Sequence, residues 1–380
     1  MTLKATTDNI AAMAASKLTG ALPALDASAL TGIVAGPLTG ASDPTISTNP
    51  SGTGVVYENT TSGEMFICTS ATAGSNVWLN VGTGDALVIA KPFGGTGGGT
   101  VSGYVSGGYS SGPVYHTTMD KFAFASNTTA SAHGSLTTGR QMPSGTSSST
   151  DGYVAGGYLG SSTDTLTIEK FSFATSSAAT SHGNLATTRR YGGGNSSSTQ
   201  GFSIGGAAPV TVIDKFDFSS NTTASTHGNL TAVLGYAAGQ SSNTDGFASA
   251  GYNGAYTSRI DKFSFASNTT AASHGNLSGV STSRGICTAQ SSSSHGYSAG
   301  GAPPTVNIID KFSFISNVTA TDHGDLTVAL AYSTGISSTT DGFTAGLTNA
   351  INKFSFASAG NAASHGNLSA ERNYPSGHQV

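Results

Sequence analysis

One segment recurs six times in this 380-residue chain, and that recurrence limits the folds open to it more than any other feature. The cleanest copy runs Ile260-Asp261-Lys262-Phe263-Ser264-Phe265, followed by His274-Gly275-Asn276-Leu277. The lysines are Lys121, Lys170, Lys215, Lys262, Lys311 and Lys353, spaced by 49, 45, 47, 49 and 42 residues. Twelve residues after each lysine stands a histidine: His133, His182, His227, His274, His323 and His365. A leucine follows three residues later, from Leu136 to Leu368. A period of this length marks a repeat architecture, in which each unit buries its apolar face against its neighbours.

Each repeat also carries an upstream Gly-aromatic stretch ending in glycine, from Gly103-Tyr104 to Gly342-Phe343. The phenylalanines of the Lys-Phe-x-Phe run are two apart, which puts them on one face of a strand. The run is too short for a helix, and Ser/Thr/Asn/Gly clusters bound it on both sides. The Gly-aromatic and His-Gly-x-Leu segments read as two further strands. A fourth is expected around Arg140, Arg189 and Arg284. Four short strands per period of about 45 residues match one propeller blade.

The glycine pair and the aromatic strand resemble the blades of kelch-type propellers, although the chain's single tryptophan, Trp78, lies outside the repeats. The resemblance covers about residues 98 to 380 and implies an all-β fold with a six-bladed kelch-like β-propeller. The segment Ser369 to Gly377 parallels Thr137 to Gly145, so the C-terminal strand is expected to complete the blade begun near Gly103 and close the ring. Closure removes exposed strand edges.

Charged residues make up only 9% of the chain, the formal net charge is −4, and no basic stripe stands out, which argues against nucleic-acid binding. Cys68 and Cys287 form no metal-type pair and are expected to be free. No apolar run approaches the roughly 20 residues that span a bilayer. The run Ile10 to Ala15 is too short for a secretory signal, so no membrane insertion is expected and any export would take another route.

The chain divides at this level into residues 1–41, 42–90, 91–99 and 100–380. The first segment opens with a short Ala-rich helix and carries Leu-Thr-Gly triplets at Leu18, Leu30 and Leu38. It has too little apolar surface to fold alone and is expected to bury its leucines between chains. Residues 42–90 read as a small β module with strands at Val55–Tyr57, Met65–Cys68 and Val77–Gly82, and the glycine-rich 91–99 as a linker. The phrase Leu22-Pro23-Ala24-Leu25-Asp26 to Gly32 resembles the shaft of bacteriophage tail fibres. Val56-Tyr57-Glu58-Asn59 with Gly63-Glu64-Met65-Phe66 and Asn76-Val77-Trp78 resembles a β module found in such fibres. That resemblance implies a virion fibre or spike protein, commonly a homotrimer. Its N-terminal end would attach to other tail or capsid proteins, and its C-terminal domain would recognise the host surface. The shaft is short for a fibre, and a capsid decoration protein with a non-catalytic knob is the alternative.

Catalysis, a metal centre and a cofactor are not expected. Equivalent points on a six-bladed ring lie too far apart for six histidines to share a metal, so a turn histidine bonded to local backbone is the expectation. The acids before the lysines, from Asp120 to Asp310, suit ion pairs between blades better than a catalytic carboxylate pair. A glycan-modifying enzyme would need a cluster of unrepeated acids, and the sequence has none. The loops between glycine pair and Lys-Phe strand differ from copy to copy, whereas the Ser/Thr turns are nearly constant. Variable loops on a rigid ring are where ligands bind, here a host glycan or surface protein. The candidate receptor-binding residues are Tyr109, Tyr115, Tyr158, Tyr252, Tyr256 and Arg259. Replacing Tyr256 and Arg259 with alanine is expected to weaken cell binding and leave the fold intact.

Overall fold

The computed structural model describes residues 38–62, 64–82, 101–207, 210–278 and 283–380. The expected N-terminal helix, most of the shaft segment and the 91–99 linker lie outside them. Contacts divide the chain into two units, Met1–Ile89 and Ala90–Val380, described separately below.

In the first unit a four-stranded sheet is formed by β1 (Leu38–Gly40), β2 (Val56–Asn59), β3 (Met65–Ser70) and β4 (Val77–Gly82), in that order. The sequence reading expects three strands and places Leu38 in the shaft; here Leu38–Gly40 is instead the parallel edge strand beside β2. Alternation along the strands sends Tyr57, Phe66, Cys68 and Trp78 to one side, with Tyr57 and Trp78 ring centroids 5.7 Å apart. On β3 and β4 Met65, Val77 and Leu79 are exposed. Asn59 closes the β2–β3 turn, its Oδ1 accepting from the Thr61 and Ser62 amides.

The second unit is built from six four-stranded antiparallel sheets that follow one another along the chain. Sheet two is typical, with Ser144–Ser147, Asp151–Ala155, Thr167–Ser172 and Thr180–Asn184 in spatial order. Sheet one draws its first strand, Ser376–Gln379, from the C-terminus, paired antiparallel with Ser102–Ser106. First strands of successive sheets touch one another, and the set closes where Ser376–Gln379 meets both Ser333–Ser337 of sheet six and Ser144–Ser147 of sheet two. The strand expected around each arginine begins later, at Ser144, Gly193 and Thr288. Arg140, Arg189 and Arg284 precede it, buried in the connection between sheets.

Local chemistry explains the motif. The glycine before each aromatic residue sits opposite a third-strand phenylalanine, as Gly152 does opposite Phe171. A Cβ there would run into that ring. The aromatic residue then stacks on the second phenylalanine of the next sheet: Tyr153 on Phe218 at 4.6 Å, Phe202 on Phe265 at 4.7 Å, Phe247 on Phe314 at 4.7 Å and Tyr297 on Phe356 at 4.7 Å. Tyr104 against Phe173 at 4.7 Å and Phe343 on Phe124 at 4.9 Å make six, the last joining sheet six to sheet one. Each core cluster therefore lies between two sheets, and each fully buried phenylalanine contributes about 1.5–3 kcal/mol.

The repeat histidines stand within the outermost strands rather than in turns, and they bond the next sheet rather than local backbone. His133 Nε2 donates to the Ser172 carbonyl at 2.8 Å, and His182, His227, His274 and His323 repeat the bond. His365 donates to Ala123 of sheet one at 2.9 Å. A buried side chain that stitches one sheet to the next explains why the histidine keeps its spacing in every copy. Lys121, Lys262, Lys311 and Lys353 lie over the aromatic residue of their own sheet; Lys121 is 5.5 Å from the Tyr104 ring centroid and Lys262 5.7 Å from that of Phe247.

The acids before the lysines pair with the connecting arginines: Arg189 with Asp214 at 2.8 Å, Arg284 with Asp310 at 2.5 Å, Arg372 with Asp120 at 3.2 Å, and Arg140 with Glu169. All eight side chains are buried, so each charge depends on its partner. Two sheets depart from the rule in compensating ways. Sheet six has Leu330 in the arginine position and the neutral Asn352 in the acid position, where it accepts from the Thr327 hydroxyl. Sheet four has Leu234 but keeps Asp261, which is paired by Arg259 at 2.9 Å.

Candidate functional site

The first strands surround a channel of about 170 Å³ that runs along the centre of the ring. At one end, six backbone amides are held in a closed circle of side-chain acceptors. The Ser147 amide donates to Ser196 Oγ at 3.1 Å, and the relay continues through Ser241, Ser291 and Ser337 to Gln379 Oε1. The Gln379 amide returns to Ser147 Oγ at 3.2 Å. The turns beside this circle are also alike: Ser148 Oγ accepts the Asp151 amide at 3.0 Å, and Ser197, Ser242, Ser292 and Ser338 repeat the bond. Hydroxyls that bond nearby backbone fix such turns. Asn127, Asn221, Asn268 and Asn317, the Asn-x-Thr asparagines, each donate to a carbonyl of the preceding sheet.

The other end is different. Each first strand is entered through one residue with left-handed backbone: Met142, Tyr191, Tyr236, Ile286, Tyr332 and Tyr374, with φ between 55° and 62°. Their backbones form a collar in which Tyr191 donates to Met142, Tyr236 to Tyr191, Ile286 to Tyr236, Met142 to Tyr374 and Tyr374 to Tyr332. The four tyrosine rings meet at the mouth, with centroid distances of 4.1 Å for Tyr191–Tyr236, 5.5 Å for Tyr191–Tyr374 and 4.7 Å for Tyr332–Tyr374. Burial pushes the Tyr191 and Tyr374 phenols well above their ordinary range, so both stay protonated hydrogen-bonding groups.

Around the collar stand the loops singled out in the sequence. Tyr109 and Tyr115 pair across a short hairpin at 5.3 Å, and Tyr115 reaches Tyr158 of the next sheet at 6.0 Å. Arg190 joins this cluster to the collar, its guanidinium 4.9 Å from the Tyr158 ring centroid and 6.0 Å from that of Tyr191. It also pairs with Asp164 at 3.0 Å, a half-buried contact. Tyr252 and Tyr256 pack together at 5.1 Å, and a Cβ on Gly285 would touch both Tyr256 and Tyr236. The predicted tyrosines thus form two groups, both adjoining the collar.

Arg259 does not join them. It lies at the start of the third strand of sheet four, committed to the buried Asp261, so its removal would strand a buried charge. Asp261 also accepts from the Thr231 amide and hydroxyl, so Arg259→Ala is expected to cost stability as well as any binding.

Sequence reasoning missed the collar tyrosines and Arg190. A signal was present: Met142, Tyr191, Tyr236, Tyr332 and Tyr374 each follow the repeat histidine by nine residues, and Ile286 by twelve. Among the described residues no three histidine, cysteine or acidic side chains stand close enough to hold a metal. Comparison with protein-family models and with curated proteins finds no match for this chain.

Proposed function

We propose that this chain is a bacteriophage fibre or spike protein whose kelch-like six-bladed β-propeller binds the host cell surface, through a glycan or an exposed protein, during adsorption. The observation that carries this reading is the placement of tyrosine. Nine of the thirteen tyrosines stand on the face where the repeats differ: Tyr109, Tyr115, Tyr158, Tyr191, Tyr236, Tyr252, Tyr256, Tyr332 and Tyr374. The turns of the opposite face contain none. A partly exposed tyrosine offers a flat apolar face and a polar tip, which suits surface recognition. In this reading the propeller is a binding module without catalysis or cofactor. The N-terminal part trimerises and attaches it to the virion, and the exposed Met65, Val77 and Leu79 offer apolar surface for association.

Immunogold electron microscopy of intact particles, with antibody to residues 100–380, tests the assignment. Label at the distal tail is the expected result. Label scattered over the capsid would favour a decoration protein, and absence from particles would overturn the virion assignment.

A further inference from the structure

We propose that the channel mouth is a subsite for one ring of an uncharged sugar, held against Tyr191, Tyr236, Tyr332 and Tyr374. The inference rests on the recognition reading above and specifies its ligand.

Backbone strain points to the collar first. A left-handed conformation suits glycine and disfavours bulky side chains, yet none of the six collar residues is glycine and four are tyrosine. A strained conformation kept at equivalent places marks a position where the side chain itself is needed. Met142 and Ile286 fill the same position with apolar bulk, so the collar mixes aromatic faces, hydroxyls and aliphatic surface.

Charge then narrows the ligand. The residues lining the channel include no Asp, Glu, Lys, Arg or His. A phosphate, a carboxylated sugar or a cation would lose its hydration there without gaining an opposite charge. A neutral ligand with one flat apolar face and many hydroxyls fits this lining, because the rings accept the face and polar groups accept the hydroxyls.

Polar partners are available. Ser333 is one of the residues lining the channel, and its buried hydroxyl has no partner among the described residues. Hydrogen bonds to the second strand alternate along an antiparallel edge, so channel-lining residues such as Gly194 and Gly239 turn their amide and carbonyl away from their own second strand, and the Gly194 carbonyl lies close to Gly239 of the next first strand. At about 170 Å³ the space lies below the roughly 300 Å³ lower bound for drug-sized ligands, which limits the ligand to a single ring.

The test uses ligand-observed saturation-transfer NMR on the full chain with glucose, galactose, mannose, N-acetylglucosamine and, as the charged comparison, glucuronate. Variants are Tyr236→Asn and Tyr332→Asn, since asparagine tolerates left-handed backbone, with Thr199→Asn on the opposite turn face as the control. The expected result is transfer to at least one neutral sugar and none to glucuronate. Affinity should fall about tenfold in either collar variant and stay unchanged in Thr199→Asn. Retained thermal melting shows that each variant is folded. Silence from every neutral sugar, equal response to glucuronate, or indifference to both collar variants would overturn the proposal. Adsorption of the same samples to host cells separates the two readings. Adsorption without a sugar signal removes the sugar subsite and leaves recognition standing; a sugar signal without adsorption removes recognition instead.

Discussion

The two ends of the central channel are built from the same six strands but are put to different use. At one end serine hydroxyls and the Gln379 carbonyl are consumed by backbone amides in a closed circle, leaving little side-chain chemistry for a partner. At the other, bulky residues hold left-handed backbone and keep partly exposed rings around the mouth. The repeats agree at the first end, where structure constrains them; at the second the collar backbone is repeated, but its side chains and the loops around it differ. Regularity here marks the scaffold, and departure from regularity marks the surface free to recognise something.

The largest effect should come from the ion pairs that anchor the connections beneath the tyrosine face. Arg189→Leu leaves Asp214 buried without its partner and should cost about 3–5 kcal/mol. Adding Asp214→Asn should recover at least half of that, because sheet six already uses Leu330 with Asn352. Equilibrium denaturation of the single and double variants measures both.

Next is acid. His378, in the closing strand, is fully buried; its Nδ1 donates to the Thr146 carbonyl at 3.0 Å, and its Nε2 lies 2.9 Å from the Ser106 hydroxyl, from which the neutral ring accepts. Burial lowers its pKa to about 4. The unfolded chain takes up a proton near the ordinary value of about 6.5, while the folded chain does not until about pH 4, so stability is complete above the first and falls between the two. The loss should reach about 3 kcal/mol at pH 4 for this residue alone. Burial lowers His227 and His365 in the same direction. Denaturation between pH 7.5 and 4 should show the decline, and His378→Gln should flatten it.

Breaking one step of the serine circle is smaller. Ser241→Ala removes the acceptor of the Ser196 amide and should cost about 1 kcal/mol, read as a shifted denaturation midpoint. The smallest stability effect belongs to the other end: Tyr252→Ser, on the exposed loop, should change stability by less than about 0.5 kcal/mol while reducing cell adsorption.

Much of the scaffold was legible because the pattern repeats. Lys-Phe-x-Phe at period two fixed the third strand, and the match of Ser369–Gly377 to Thr137–Gly145 pointed to the C-terminal strand joining the first sheet, as it does. The partners of repeated residues were not legible, because they lie in the next sheet. His133 bonds a residue 39 positions away and His365 one 242 positions away, distances at which local spacing carries no information. The pairing of Arg259 with Asp261 was not legible for a related reason: Arg259 lies at the end of a variable loop, and the loss of arginine at Leu234 in the preceding connection leaves Asp261 for it to pair with. Of the candidate site, loop tyrosines were visible as local clusters. The collar was hidden because its members are one per repeat and meet only when the ring closes.

The most direct test of the account compares the two faces in one adsorption experiment. Fluorescent full-length protein would be applied to host cells as wild type, as a Tyr109→Ser/Tyr158→Ser/Tyr252→Ser variant, and as a turn-face variant with Thr150→Asn, Thr199→Asn and Thr244→Asn. The account predicts that the tyrosine variant loses adsorption while melting normally and that the turn-face variant adsorbs like wild type. Undiminished adsorption of the tyrosine variant, or its loss in the turn-face variant alone, would contradict it.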